Sequence, residues 1–140
     1  MENSKTLKVY RSVTQGTLHT LAILFVLGMI ANLFIEIPEG SAGSAAWGWV
    51  FSHSGVIVAH IIFGTLLVAI ALASLVLAFM TKNRTAIIAS SLGAVFTLAA
   101  YYFGAQFVTA GDSALSSLLM AFGFFGALAS YGVGVYKTKI

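Results

Sequence analysis

Cysteine is absent from this 140-residue chain, and charged residues are scarce. Without cysteine there are no disulfides and no thiolate metal sites. Only 8% of the residues are charged and 59% are hydrophobic, a balance that is not typical of a soluble domain. No Ser/His/Asp set, phosphate-binding loop or HExxH metal motif is present, so neither hydrolase nor nucleotide chemistry is supported. The composition therefore favours an integral membrane protein.

The basic residues that are present lie at three places along the chain, separated by long apolar runs. They are Lys5, Lys8 and Arg11; Lys82 and Arg84; and Lys137 and Lys139. Three of the four acidic residues, Glu36, Glu39 and Asp112, fall in the intervening gaps. Because short cytoplasmic segments collect Lys and Arg, this pattern predicts a cell-membrane protein with both termini in the cytoplasm. The net positive charge is then a consequence of topology, and we expect no nucleic-acid partner.

The apolar runs predict four transmembrane helices, since a bilayer core of roughly 30 Å needs about 20 apolar residues per helix. The predicted spans are residues 17–35, 51–80, 85–108 and 114–136. Two short connections make neighbouring helices antiparallel, and glycines within the spans permit close helix packing. We therefore predict an all-α, antiparallel four-helix bundle that forms a single domain over residues 1–140. Asn32 and Gln106 near the ends of the odd-numbered spans suggest a two-helix internal repeat.

Two polar segments flank the first span. Residues 1–15 are predicted to be a cytoplasmic N-terminal segment, with a short interfacial helix as one possible conformation. Residues 36–50 form the predicted outer loop, which contains the only proline, Pro38, and both tryptophans. Trp47 and Trp49 are placed as anchors at the membrane interface, with a lid over a ligand pocket as the alternative.

Polar side chains at membrane depth are the candidates for function. His60 is one of them, and His53 is predicted to lie two turns above it on the same helix. Asn32 and Gln106 are expected at a similar depth on neighbouring helices, so the four side chains could converge. His60 is interpreted either as a neutral imidazole that hydrogen-bonds Asn32, Gln106 or a backbone carbonyl, or as a ligand of haem iron, a quinone contact or another metal ligand. Met120 is a candidate second ligand of haem iron.

A family resemblance follows from these residues. His60 followed one turn later by Gly64, Gly104-Ala105-Gln106 near the end of the third span, and Ser117-Leu118-Leu119-Met120-Ala121 at the start of the fourth resemble one four-helix half of haem A synthase. The resemblance covers roughly residues 50–134 and is shared with small four-span proteins of cytochrome-b-like build. It implies haem b held by a histidine on the second helix, matched by His60, and a histidine on the fourth. Phe122 or Gly123 occupies the latter place and cannot bind iron. The implied ligation is then His60 with Met120, His60 alone, or His60 with a histidine of another subunit.

Two functions follow from the sequence. The first is a non-catalytic accessory subunit that packs in a larger, possibly respiratory membrane complex or in a homo-oligomer. The second is a haem-b-binding electron-transfer or haem-handling protein that uses His60. A proton-coupled transporter is disfavoured because no carboxylate lies within the spans.

Overall fold

Five α-helices make up the fold in the computed structural model, which describes residues 2–111 and 113–138. They are α1 (Glu2–Phe34), α2 (Gly43–His53), α3 (Gly55–Thr81), α4 (Arg84–Thr109) and α5 (Ala114–Lys137). Four of them, all except α2, are long and apolar enough to cross a membrane. The predicted all-α bundle with four membrane-spanning helices is thus confirmed. Asp112 and Lys139 of the charge pattern lie outside the described residues.

The long helices form a four-membered ring. Helix α1 packs against α3 and α5, and α4 packs against the same two helices, so α3 and α5 stand diagonally opposite each other. The α3–α4 turn is tight: Lys82 caps α3 with a positive φ of 54°, and the Asn83 side chain accepts from the Ala86 amide at the start of α4. Gly111, with φ of 66°, forms the α4–α5 turn and packs against the Ser41 carbonyl of the outer segment.

The N-terminal segment differs from its prediction, because residues 2–16 continue into α1 as one helix of 33 residues. Tyr10, Thr14 and Thr17 are fully buried in the bundle. The Thr14 and Thr17 hydroxyls bond to the carbonyls four residues earlier, which lets polar side chains sit inside an uninterrupted helix. A separate short interfacial helix is therefore not formed, and the bundle begins earlier than hydropathy indicates.

A cluster of hydrogen-bonded hydroxyl groups explains why the N-terminal part of α1 packs in the bundle. Thr14 Oγ1 and Ser74 Oγ are 2.8 Å apart, and Ser74 Oγ lies 3.4 Å from Ser90 Oγ. Ser90 in turn donates to the Tyr10 hydroxyl over 3.2 Å. These bonds join α1, α3 and α4 in a region where lipid offers no alternative partner, which is how serine and threonine hold membrane helices together.

The end of the second span that is predicted to lie outside also differs from its prediction. The chain breaks at Ser54, whose φ of −122° and ψ of 86° are not helical and whose side chain caps α3 by accepting from the Ile57 amide. Residues 43–53 form the separate helix α2, which packs on α3 and α4. His53 therefore ends α2 and is not on the same helix as His60. The predicted stacking of the two histidines on one helical face is wrong.

Candidate functional site

A large apolar cavity occupies the half of the bundle next to α2, called the outer half here after the topology predicted from charge, and is the candidate site. Its volume is about 350 Å³, within the range of small-molecule pockets. All five helices contribute to its wall: for example Leu24 from α1, Trp47 from α2, His60 from α3, Thr97 from α4 and Met120 from α5. Along α4 the lining runs from Thr97 to Val108, a distance of about 16 Å along the helix axis. The cavity is thus elongated along the bundle.

Glycines make room for two of the side chains that line the cavity. His60 packs closely against Gly28 of α1: a Cβ atom at Gly28 would lie 3.2 Å from His60 Cε1. On the other side, a Cβ at Gly104 would lie 3.2 Å from Met120 Sδ. The two candidate iron ligands thus each pack beside a glycine, and larger side chains at these positions would push them into the cavity.

The depth of His60 follows from the helix register. His60 precedes the end of α3 by 21 residues, and Gly104 follows the start of α4 by 20 residues. The hydrogen bond of 3.2 Å between Thr65 Oγ1 and the Tyr101 hydroxyl supports this register. At a rise of about 1.5 Å per residue, His60 and the Met120 sulfur beside Gly104 therefore lie at nearly the same depth. They belong to α3 and α5, the diagonal pair.

The imidazole of His60 makes no hydrogen bond within the part of the chain that the structure describes. Its Nδ1 atom is buried without a partner, and neither ring nitrogen bonds to another of the described residues. The bond to Asn32, Gln106 or a backbone carbonyl that the structural interpretation requires is thus not formed at Nδ1. Nδ1 lies beside Gly28 of α1, 3.7 Å from the place of a Cβ there, and leaving this nitrogen unsatisfied away from water costs free energy.

A second polar residue of the lining lies deeper in the cavity. Thr97 is only 2% exposed, and its side chain hydrogen-bonds with the Tyr131 hydroxyl of α5. The other buried threonines, Thr14, Thr17, Thr20, Thr81 and Thr138, all donate to a carbonyl of their own helix. Sequence reasoning did not single out Thr97, because nothing in its local sequence sets it apart from those residues.

The remaining sequence candidates fall at different places. Asn32 lines the cavity about 6 Å outward of Gly28. Gln106 is not among the lining residues of the described chain. His53 is exposed, stacks on Trp49 with ring centroids 5.5 Å apart, and lines a separate outer pocket with Glu36. Of the candidates, the structure therefore brings together His60, Asn32 and Met120.

Helix α2 contributes one of its two tryptophans to the wall of the cavity. Trp47 lines the cavity and donates from Nε1 to Thr109 Oγ1 over 3.1 Å, which fixes the indole to the end of α4. Trp49 is not part of this wall. Trp47 thus has the position of a lid residue, the alternative to interface anchoring.

The lining carries no charge. None of the Asp, Glu, Lys or Arg residues in the described chain lines the cavity, and its polar groups are neutral: Asn32, Trp47, His60, Thr97, Tyr101 and Ser117. Groups of three or more histidine and acidic side chains that could hold a metal ion are not found among the described residues.

For haem b, this site offers two possible iron ligands and no charged partner for the carboxylates. His60 and Met120 offer an imidazole and a thioether at matching depth on diagonal helices, which is a ligand pair that haem iron accepts. The propionates would find neutral partners only, because the lining lacks Lys and Arg.

Comparison with known proteins adds no relative. No family model, no curated protein and no solved structure matches the chain. What is shown is a helical protein with four candidate membrane spans.

Proposed function

We propose that this small integral membrane protein binds a largely apolar small molecule in the outer cavity, and that His60 contacts the bound molecule. The observation that carries the proposal is the imidazole of His60, which lines a 350 Å³ cavity with a buried Nδ1 that has no partner. A bundle that only filled space would be expected to satisfy this group or to replace it with an apolar residue.

The two tryptophans provide a test. In lipid nanodiscs, 1-bromodecane should quench Trp47 saturably in a Trp49→Phe variant, because Trp47 lines the cavity. In the matched Trp47→Phe variant, quenching of Trp49 should rise in proportion to the bromodecane in the bilayer. Equal, non-saturating quenching of both indoles would overturn the proposal.

Filling the cavity supplies a second arm of the same test. A Cβ at Gly64 would lie 3.8 Å from Tyr101 Cδ2, which is ordinary contact, so Gly64→Ala should keep the saturable component. Gly64→Leu adds three further carbon atoms to the cavity wall and should remove it. Retention of saturable quenching in Gly64→Leu would contradict binding in this cavity.

Haem b is the second candidate ligand, favoured by the common depth of His60 and Met120. His60 would hold the iron, with Met120 as the second ligand or with the second position open. Bound haem would supply one-electron transfer, while this chain's residues would orient the ring and keep water from it. A role as a non-catalytic accessory subunit remains a separate proposal. If this role is correct, extraction with a mild detergent should give a particle much larger than one chain.

The orientation proposed from charge places the α3–α4 turn in the cytoplasm and α2 outside. Cysteine labelling tests it directly, since the chain has no native cysteine. Ser44 and Thr85 are both exposed. A membrane-impermeant maleimide should label Ser44→Cys on intact cells, and Thr85→Cys only after permeabilisation. The reverse pattern would invert the topology, and labelling of both on intact cells would contradict the threading.

A further inference from the structure

The cavity is not closed equally on all sides of the bundle. Near the level of His60, three of the four seams between neighbouring long helices are joined by close side-chain contacts. The contacting pairs are Gly28 and His60 between α1 and α3, Thr65 and Tyr101 between α3 and α4, and Gly104 and Met120 between α4 and α5. The fourth seam, between α1 and α5, is built differently.

The α1–α5 seam is packed in its inner part and open in its outer part. Phe25 of α1 and Phe124 of α5 stack with ring centroids 5.6 Å apart. Inward of this stack, Leu21, Ala127 and Tyr131 belong to one buried cluster that fills the seam. Outward of it, the buried cluster draws its described residues from α1 to α4 and the connection after α1, and none from α5. Helix α2 packs on α3 and α4, so it leaves the α1–α5 side uncovered.

Side chains of the cavity wall are exposed along this opening. Met29 of α1 is 42% exposed and Phe125 of α5 is 58% exposed, although both line the cavity. Asn32 of α1 is exposed and lines the same wall. In a bilayer this side of the bundle faces acyl chains, so the material that can reach the cavity through the opening is lipid.

Two neutral polar side chains of the lining flank the opening at one depth. Asn32 follows Gly28 by four residues, so its backbone lies about 6 Å outward of the level of His60. Ser117 precedes Met120 by three residues on α5, which runs in the opposite direction, so it lies about 4.5 Å outward of Met120. Because His60 and Met120 share a level, Asn32 and Ser117 lie at nearly the same depth on the two flanking helices.

This polar pair and the apolar interior together fit an amphiphile. An amide and a hydroxyl can both donate and accept hydrogen bonds, which suits a neutral hydroxyl or ester group. A charged head group would lose hydration here without finding an opposite charge, because the described lining has none. Inward of the pair the lining is mostly apolar, with Leu24, Ile61 and Phe124 among its members, and the cavity is elongated in that direction.

We propose that the cavity holds the chain of a single-chain neutral lipid, such as a long-chain alcohol or a monoacylglycerol, with the polar head between Asn32 and Ser117. This inference rests on the proposed function, since it names the ligand class and its orientation in the same cavity. The head lies toward Trp47, which lines the cavity and is bonded to Thr109 at the outer end of α4. The chain extends inward along the apolar wall.

The affinity test uses full-length Trp49→Phe protein in phosphatidylcholine nanodiscs, with 2-bromodecan-1-ol as the quencher of Trp47. Half-saturation should need a lower mole fraction than for 1-bromodecane, which has the same chain length and lacks the hydroxyl. Ser117→Ala should raise the mole fraction for the alcohol about fivefold, the value of one ordinary hydrogen bond, and Asn32→Leu should do the same. Ser116→Ala is the matched control: Ser116 is described by the structure and does not line the cavity, so the value should stay within about twofold.

The position of the bromine tests the orientation. At saturation, 2-bromodecan-1-ol should quench Trp47 more strongly than its isomer 10-bromodecan-1-ol, because only the first has its bromine beside the head group. Equal or reversed quenching by the two isomers, or equal affinity of Ser117→Ala and Ser116→Ala for the alcohol, would overturn the placement of the head. Equal affinity for 2-bromodecan-1-ol and 1-bromodecane would overturn the neutral-lipid proposal and leave the apolar-ligand proposal standing. If neither of these two probes saturated, both proposals would be overturned.

Discussion

Gly123→Ala is expected to lower the stability of the bundle strongly, by about 3 kcal/mol. A Cβ at Gly123 would lie 2.8 Å from the Ala100 backbone nitrogen and 2.9 Å from Ala100 Cβ. The obstruction is backbone and not a flexible side chain, so α4 and α5 must move apart to relieve it. Because α4 and α5 form the outer wall that holds Thr97 and Met120, the cavity should be disturbed as well.

Gly132→Ala is the matched control on the same helix. Nothing lies within 4 Å of a Cβ at Gly132, so the substitution adds no clash. Alanine favours helix over glycine by up to about 1 kcal/mol, so this variant should be neutral or slightly stabilised. Unfolding in mixed micelles with increasing dodecyl sulfate measures both variants. If Gly123→Ala unfolded at the same denaturant fraction as Gly132→Ala, the close α4–α5 packing would be wrong.

Haem binding, the second candidate, predicts an all-or-none effect at His60. Protein purified from haem-replete cells should show a Soret band, and His60→Ala should abolish it, because an alanine side chain provides no ligand atom for iron. Met120→Leu should shift the spectrum if the sulfur is the second ligand. Met80→Leu is the control, since Met80 is 60% exposed at the end of α3.

The spectrum separates the two ligand classes. A colourless wild-type protein from haem-replete cells would remove the haem candidate and leave an uncharged ligand in the same cavity. A Soret band that survives in His60→Ala would place any haem elsewhere. Binding of 1-bromodecane to Trp49→Phe protein is measured independently of this colour, so each candidate can fail alone.

Much of the candidate site was predictable from the sequence because polar residues are rare at membrane depth. His60 and Asn32 were singled out on that ground and Met120 as a possible ligand of haem iron, and all three line the cavity. Gln106 was selected by the same argument but is not part of the wall, since which helical face turns inward depends on packing. Thr97 was missed because a threonine in a membrane helix ordinarily bonds to its own backbone, and only the tertiary structure shows that this one does not.

The fold does not test the predicted two-helix internal repeat. Its paired residues Asn32 and Gln106 differ in that only the first lines the cavity. The relation between the two halves stays a prediction.

The sequence alone determined the four long helices and their alternation, because burying charge or unpaired backbone in lipid is too costly to allow other arrangements. It did not determine where those helices begin or bend. The break at Ser54 depends on a side-chain cap to the Ile57 amide, and a serine inside an apolar run does not by itself show whether it caps a helix or continues one. The extension of α1 through Tyr10 and Thr14 depends on hydroxyls supplied by α3 and α4. The cavity itself arises where glycines and short side chains from several helices coincide, and that coincidence exists only once the bundle has packed.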